Sequence, residues 1–193
     1  MVQKIKNCKE LIPYLKDVIE DEGIEVEIDK RLPPKKIAII KVDEYYNSLH
    51  TDCPPKSIDF AVVVDCTCSW YILYLLELKN VNSPKKLCVK EIHEKFENTI
   101  YDFLSRRFEK IFLQEQYKYK DINLFLVSDA YGLKEKYNTY EEYKKIQDRK
   151  QKIHSRDSLR VDFSLGSKLF KFRGKIVRIC YDIPPNPIIQ CIL

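Results

Sequence analysis

Two carboxylates and one amine raise the first chemical question. Glu77 and Lys79 close the stretch YILYLLELKN, and Asp59 opens SIDFAVVVD upstream. Trp70 to Leu76 is an unbroken apolar run, as in a strand buried on both faces. A charged pair at the end of such a strand is costly unless something uses it. Side chains alternate along a strand, so Glu77 and Lys79 share one face and Leu76 and Leu78 the other. SIDFAVVVD and WYILYLLELKNV, separated by CTCS, read as a β-hairpin with a four- or five-residue loop. A five-residue loop, Cys66 to Trp70, sets Asp65 opposite Tyr71 and Asp59 opposite Glu77, with Cβ atoms about 5 Å apart. A change of one residue in loop length breaks that alignment.

Two carboxylates so placed repel each other, and a divalent cation between them relieves the repulsion. Mg²⁺ suits the task, because it takes one or two carboxylates and fills its remaining positions with water and phosphate oxygens. A lysine beside it can orient an attacking water, take its proton, or stabilise charge developing on phosphate. Acid, acid and lysine around a metal make a set for phosphodiester hydrolysis.

The elements that must position this set follow from the flanking pattern. CKELIPYLKDVIEDEG reads as a helix with Leu11, Leu15, Val18 and Ile19 as its apolar stripe, Pro13 in its first turn and Gly23 as its stop. Ile24–Ile28 alternates as a short strand, and Ile37–Val42 is strand-like in composition. NSLHTDCPPK is a loop. After the hairpin a long helix is expected, capped by Ser83 with Pro84 in its first position, burying Ile92, Phe96, Ile100, Phe103, Leu104 and Ile111. Asp121–Ala130 is a further apolar strand, and GKIVRICYDI a late one. TYEEYKKIQDRKQK is a polar helix or an exposed charged arm. The expected fold is a single α/β domain over residues 1–193, with a central mixed sheet flanked by helices and further strand and helix elements at the C-terminus.

SID followed by LELK resembles the PD-(D/E)XK nuclease superfamily, which includes many restriction enzymes. That superfamily sets an Asp at the start of one core strand and Glu-x-Lys on its hairpin partner. Its usual core is a helix, three strands, a second helix and a fourth strand. Residues 11–130 resemble that order, and 131–193 form a C-terminal extension expected to pack on the core. The resemblance implies that Asp59, Glu77 and the Leu78 backbone carbonyl hold Mg²⁺, with Mn²⁺ as a substitute, and that Lys79 handles the water. It also suggests an acid from the first helix, Glu20 ahead of Glu10, as a further metal ligand. Ile58 stands before the Asp where Pro is usual, with Pro54-Pro55 just upstream. The implied activity is a Mg²⁺-dependent endonuclease cutting DNA, in restriction, defence or repair, with RNA as the other substrate. A homodimer or a larger nuclease complex would allow double-strand cuts. A second Glu-x-Lys, Glu142-Tyr143-Lys144, lies in a helical segment with no apolar strand behind it.

The remaining signals set bounds. Net charge is +5, from 34 Lys+Arg against 29 Asp+Glu, a mild excess compatible with a polyanion. Lys56, Lys85, Lys86, Lys90, Lys144 and Lys145 are the basic side chains placed to meet phosphates, each equally readable as part of a solvated surface. LFKFRGKIVRI is first a half-buried strand and second a strand presenting Lys171, Arg173 and Lys175 to DNA. None of the four glycines forms a phosphate-cradling loop, and HExxH and G-x-S-x-G motifs are absent, which sets aside several large enzyme classes. The seven cysteines include no C-x-x-C and no zinc-spaced set, so mostly reduced thiols are expected. No apolar run approaches the roughly 20 residues of a membrane helix, and the N-terminus lacks a signal-peptide core, so the expected setting is cytoplasmic. The competing function is a nucleic-acid-binding or assembly subunit with the same fold and no catalysis. A protein–protein interaction role with no nucleic acid is the third.

Overall fold

The computed structural model describes residues 1–49, 51–67, 69–130, 132, 142 and 164–191. The chain opens with a short helix α1 (Val2–Lys6), a 3₁₀ turn at Ile12–Tyr14, and strands β1 (Leu15–Lys16), β2 (Ile19–Asp21), β3 (Ile24–Val26) and β4 (Ile37–Lys41). Helix α2 (Val42–Asn47) leads to β5 (Phe60–Thr67) and β6 (Trp70–Leu78). Helix α3 (Val89–Asn98) continues through π-helical turns at Thr99–Arg107 into α4 (Glu109–Phe112), followed by β7 (Lys118–Val127), β8 (Leu169–Phe172) and β9 (Lys175–Asp182).

Seven of these strands form one mixed sheet in the order β1-β4-β5-β6-β7-β9-β8. Neighbours β4, β5 and β6 are antiparallel, whereas β7 lies parallel to β6 and β9 parallel to β7. The parallel step requires a crossover, and α3 through α4 supplies it. The molecule is a single α/β domain, as expected. Its central strands are buried on both faces, which is why β6 is apolar without alternation: every residue after Trp70 is buried, whereas β8 and β9 keep one face exposed. One face, with Ala61, Val63, Leu73 and Leu75, packs on Phe96, Ile100 and Phe103 of the crossover. The other, with Phe60, Val62, Ile72, Tyr74 and Leu76, packs on Ile19, Ile24 and Val26. All six apolar residues assigned to the inner face of the long helix are buried. Among the described residues no helix is long and apolar enough to cross a membrane.

The helix expected over Cys8–Gly23 is replaced by the 3₁₀ turn and two strands. Pro13 is the second residue of that turn. Glu22 and Gly23 then both take positive φ, 51° and 76°, the two-residue turn that suits the twist of a hairpin, and Ile19–Asp21 pairs with Ile24–Val26. The supposed helical stripe is broken accordingly: Leu11 and Ile19 are fully buried while Val18 is 57% exposed. At the C-terminus LFKFRGKIVRI is likewise not one strand. Arg173 and Gly174, φ 51° and 76°, turn it into the β8–β9 hairpin, so residues beyond 131 complete the main sheet.

The thiols also differ from expectation. Cys66 and Cys191 are disulfide-bonded, with Cα atoms 5.4 Å apart, while Cys8, Cys53, Cys88 and Cys180 are free. The pairing follows from the tail's course. Glu27 and Asp29 exchange backbone hydrogen bonds with Pro185 and Ile189, and the Tyr74 hydroxyl donates to the Gln190 carbonyl, which lays the tail along the sheet beside Cys66. The polar segment TYEEYKKIQDRKQK, with Lys145 and the second Glu-x-Lys at Lys144, lies outside the described residues apart from Glu142.

Candidate metal and phosphate site

The hairpin has the register on which the site depends, reached by a different turn. Phe60 pairs with Leu76 and Asp65 with Tyr71, so the next step beyond Phe60 sets Asp59 against Glu77. The loop is shorter than five residues, because Thr67 pairs with Trp70. A register shift between Asp65 and Thr67 takes up the extra residue, and a bulge of this kind leaves the ladder on either side intact.

The backbone fixes each member of the set. The Asp59 carbonyl accepts the Val42 N–H at 2.8 Å, tying the start of β5 to the start of α2. The preceding amide, Ile58, donates to the Thr99 hydroxyl at 3.3 Å, and that hydroxyl donates to the Lys95 carbonyl. Lys79 is held from the other side: its N–H donates to the Val127 carbonyl at 2.9 Å and its carbonyl accepts from Ser128 Oγ. Asp59 is 5% exposed and its Oδ2 accepts the Leu78 N–H at 2.6 Å. The N–H and C=O of one strand residue point to the same edge, so the Leu78 carbonyl lies on the β5 edge of β6.

Glu77 is fully buried, and its two oxygens are treated unequally. Oε1 meets two ammonium groups, Lys95 Nζ at 2.6 Å and Lys79 Nζ at 3.3 Å. Oε2 has no hydrogen-bond partner. A buried carboxylate oxygen without a donor is expensive, and a cation or a donor from a ligand is the usual remedy. A cavity of about 100 Å³ reaches this carboxylate, lined by Glu77, Lys79, Lys86 and Lys95 with Leu87, Cys88, Glu91 and Ile92.

Burial shapes the charges. Asp59 is pushed up to about 7, first by burial and then by the Glu77 charge, against the pull of Lys95, the Leu78 N–H and Lys41. Burial raises Glu77 too, in spite of its two lysines. Burial works against the Lys79 ammonium, but Glu77, Asp59 and Glu22 outweigh it, so Lys79 holds its proton more firmly than a free lysine.

A second charge cluster shares Asp59. Asp21, Asp43 and Asp59 offer oxygens within 4.8 Å of one another. The Lys41 ammonium sits among them, 2.5 Å from Asp21, 3.3 Å from Asp43 and 3.9 Å from Asp59. This lysine is 6% exposed and already serves as the cluster's cation, whereas the Glu77 side of Asp59 offers a buried carboxylate oxygen without a partner.

Comparison with protein-family models, curated proteins and solved structures found no match.

The site therefore rests on its own geometry. Asp59, Glu77 and Lys79 come together as the spacing required. Glu20 does not join them: it is exposed on β2, opposite Glu25. Its proposed place required the helix that is absent, and the acid this segment sends inward is Asp21. Glu10 is exposed in a turn ahead of the 3₁₀ turn. Lys56 is engaged by Glu91 and Glu94 of α3 at 3.1 and 3.2 Å. Lys85, Lys86 and Lys90 are exposed around the start of α3, with Lys86 on the cavity wall. Sequence reasoning missed Lys95 and Lys41. Lys95 did carry a signal, since it lies three residues after buried Ile92 and four before buried Thr99, within the inner face of the helix.

Proposed function

We propose that this protein is a Mg²⁺-dependent nuclease that hydrolyses phosphodiester bonds in DNA. The observation that carries the reading is that Asp59, Glu77 and Lys79 lie within reach of one another's charge at one end of the sheet, with Glu77 Oε2 buried and unpartnered and a cavity lined by Glu77 and Lys79. The donor set fits the ion: carboxylate oxygens of Asp59 and Glu77 and the Leu78 carbonyl are hard ligands that leave positions for water and phosphate. Bound there, Mg²⁺ would supply Lewis-acid activation of the phosphate and a more acidic water. Lys79, being a firmly protonated ammonium, serves as a donor that orients water or steadies charge on a phosphate oxygen, in preference to acting as the base. The resemblance of SID and LELK to PD-(D/E)XK nucleases points the same way, and so does the antiparallel β4-β5-β6 followed by a helical crossover to parallel β7. The reading places the protein's work in the cytoplasm, with DNA as partner and with a homodimer or nuclease complex for cutting both strands. The Cys66–Cys191 bond is the observation that weighs against that compartment.

One observation favours a non-catalytic DNA-binding or assembly subunit instead. Glu77 already has two lysines and Asp59 has Lys41 and the Leu78 N–H, so part of the acidic charge is met without metal. Incubation of supercoiled plasmid with Mg²⁺ or EDTA separates the two. The nuclease reading expects nicked or linear product from wild type with Mg²⁺ only, and none from Lys79→Ala. DNA retained on a gel at low salt with no cleavage under any metal supports the binding subunit and refutes the nuclease.

A further inference from the structure

Lys95 is the charged residue at this site that the hydrolytic set leaves unexplained. It projects from α3 onto Glu77 Oε1 at 2.6 Å and lines the same cavity as Lys79 and Lys86. On the far wall, Cys88 is the N-cap of α3, and no side chain caps that helix end. The N-terminal end of this ten-residue helix, the positive end of its dipole, therefore lies beside the cavity, with Glu91 in its first turn. Lys86 is exposed at the rim. The acid nearest the helix start, Glu91, also lines the cavity and is paired with Lys56 at 3.1 Å.

The charge arrangement suggests what the cavity receives. Lys95 is paired with one carboxylate, Glu77, whose other oxygen is orphaned. Once a cation engages Glu77, the Lys95 ammonium loses much of its counter-charge while remaining beside Lys79, Lys86 and a helix N-terminus. An anion is then the natural occupant, and a cavity of about 100 Å³ is of the size of one tetrahedral phosphate group. We propose that this cavity is a phosphate subsite, in which Lys95 moves from Glu77 to a phosphodiester oxygen of the bound strand and Lys86 meets the same or the adjoining phosphate. The proposal rests on the nuclease reading for its ligand, a DNA backbone. It adds a phosphate-binding residue that the Glu-x-Lys pattern does not contain.

The test measures binding separately from cutting. Affinity for a fluorescein-labelled DNA duplex is read by anisotropy in the Lys79→Ala background with Mg²⁺, across a salt series, while wild type is assayed for cleavage in parallel. Adding Lys95→Met is expected to weaken binding about tenfold at low salt and to flatten the slope of log K against log salt by about one contact. Lys95→Arg is expected to retain the slope. Lys86→Met, on the exposed rim where folding is not at stake, is expected to flatten it equally. In EDTA the Lys95→Met effect should shrink, because Glu77 then holds the ammonium. If wild type cuts DNA and neither Lys95→Met nor Lys86→Met changes the slope, the subsite is overturned and the nuclease reading stands. If wild type neither binds nor cuts DNA, both fall.

Discussion

Asp59→Asn should make the metal-free protein more stable at alkaline pH, although it removes a proposed metal ligand. Burial and the neighbouring Glu77 charge push the carboxyl group up to about 7 in the folded chain, against 3.8 for a free aspartate side chain. A raised carboxyl pKa means that the folded state binds more protons than the unfolded state between those two values. Stability from this group is therefore full below about pH 4 and is lost as pH climbs through about 7. A shift of this size corresponds to about 4 kcal/mol at 1.36 kcal/mol per pH unit. Asn retains an oxygen to accept the Leu78 N–H and has no charge to desolvate. Urea unfolding in EDTA should give wild type and Asp59→Asn similar stability near pH 4 and a gap of up to about 4 kcal/mol in favour of the variant near pH 8. Added Mg²⁺ should then raise wild type by mass action and leave the variant unmoved. A variant that is less stable than wild type near pH 8, with the same pH slope, would refute the claim that this carboxylate stores unfavourable charge for a cation to relieve.

Two further substitutions probe the supports of the site. Lys41→Met leaves Asp21, Asp43 and Asp59 facing one another without their ammonium, and breaking a buried ion-paired group in this way costs about 3–5 kcal/mol. Divalent cation in the thermal melt should recover part of that loss, since the three acids can then share an ion; a melt unchanged by mutation and metal alike would sink the account of Lys41 as a resident cation. Thr99→Val removes the hydroxyl that accepts the Ile58 N–H next to Asp59, leaving a buried amide unpaired at about 1–3 kcal/mol. The same variant should lower cleavage more than DNA affinity, which parallel cleavage and anisotropy measurements would check.

The parts of the site legible in the sequence were those governed by local periodicity. Two apolar runs, a short break between them and acids at matching ends were enough to pair Asp59 with Glu77, and the bulge near Cys66 compensated for a misjudged loop. The first helix was misread because Leu11, Leu15, Val18 and Ile19 fit a helical stripe and also fit short strands separated by turns. Glu22-Gly23 in left-handed conformation decided between them, and with the helix went the place assigned to Glu20. Lys41 was out of reach for a different reason: its three acids come from β2, α2 and the residue before β5, joined only when the small hairpin folds over the sheet. Cys66 and Cys191 are separated by 125 residues, and only the path of the tail brings them together. Lys95 was readable as an inward-facing lysine, but its target on another element was not.

The two lysine clusters explain how so acidic a corner can fold before any ion arrives. Asp59 sits between them, with Lys41 on one side and, through Glu77, Lys79 and Lys95 on the other. On the Lys41 side three acids converge on one ammonium, and the protein closes the arrangement with its own cation. On the Glu77 side both lysines crowd a single oxygen and leave its twin bare, which is poor design for a permanent ion pair and good design for a provisional one. Both lysine side chains there are partly open to solvent, 30% for Lys79 and 20% for Lys95, against 7% for the Lys41 side chain. Groups that must exchange a carboxylate for a phosphate need that access, and a purely structural pair does not. The asymmetry is the physical argument for putting the proposed metal and the proposed phosphate on the Glu77 side of Asp59.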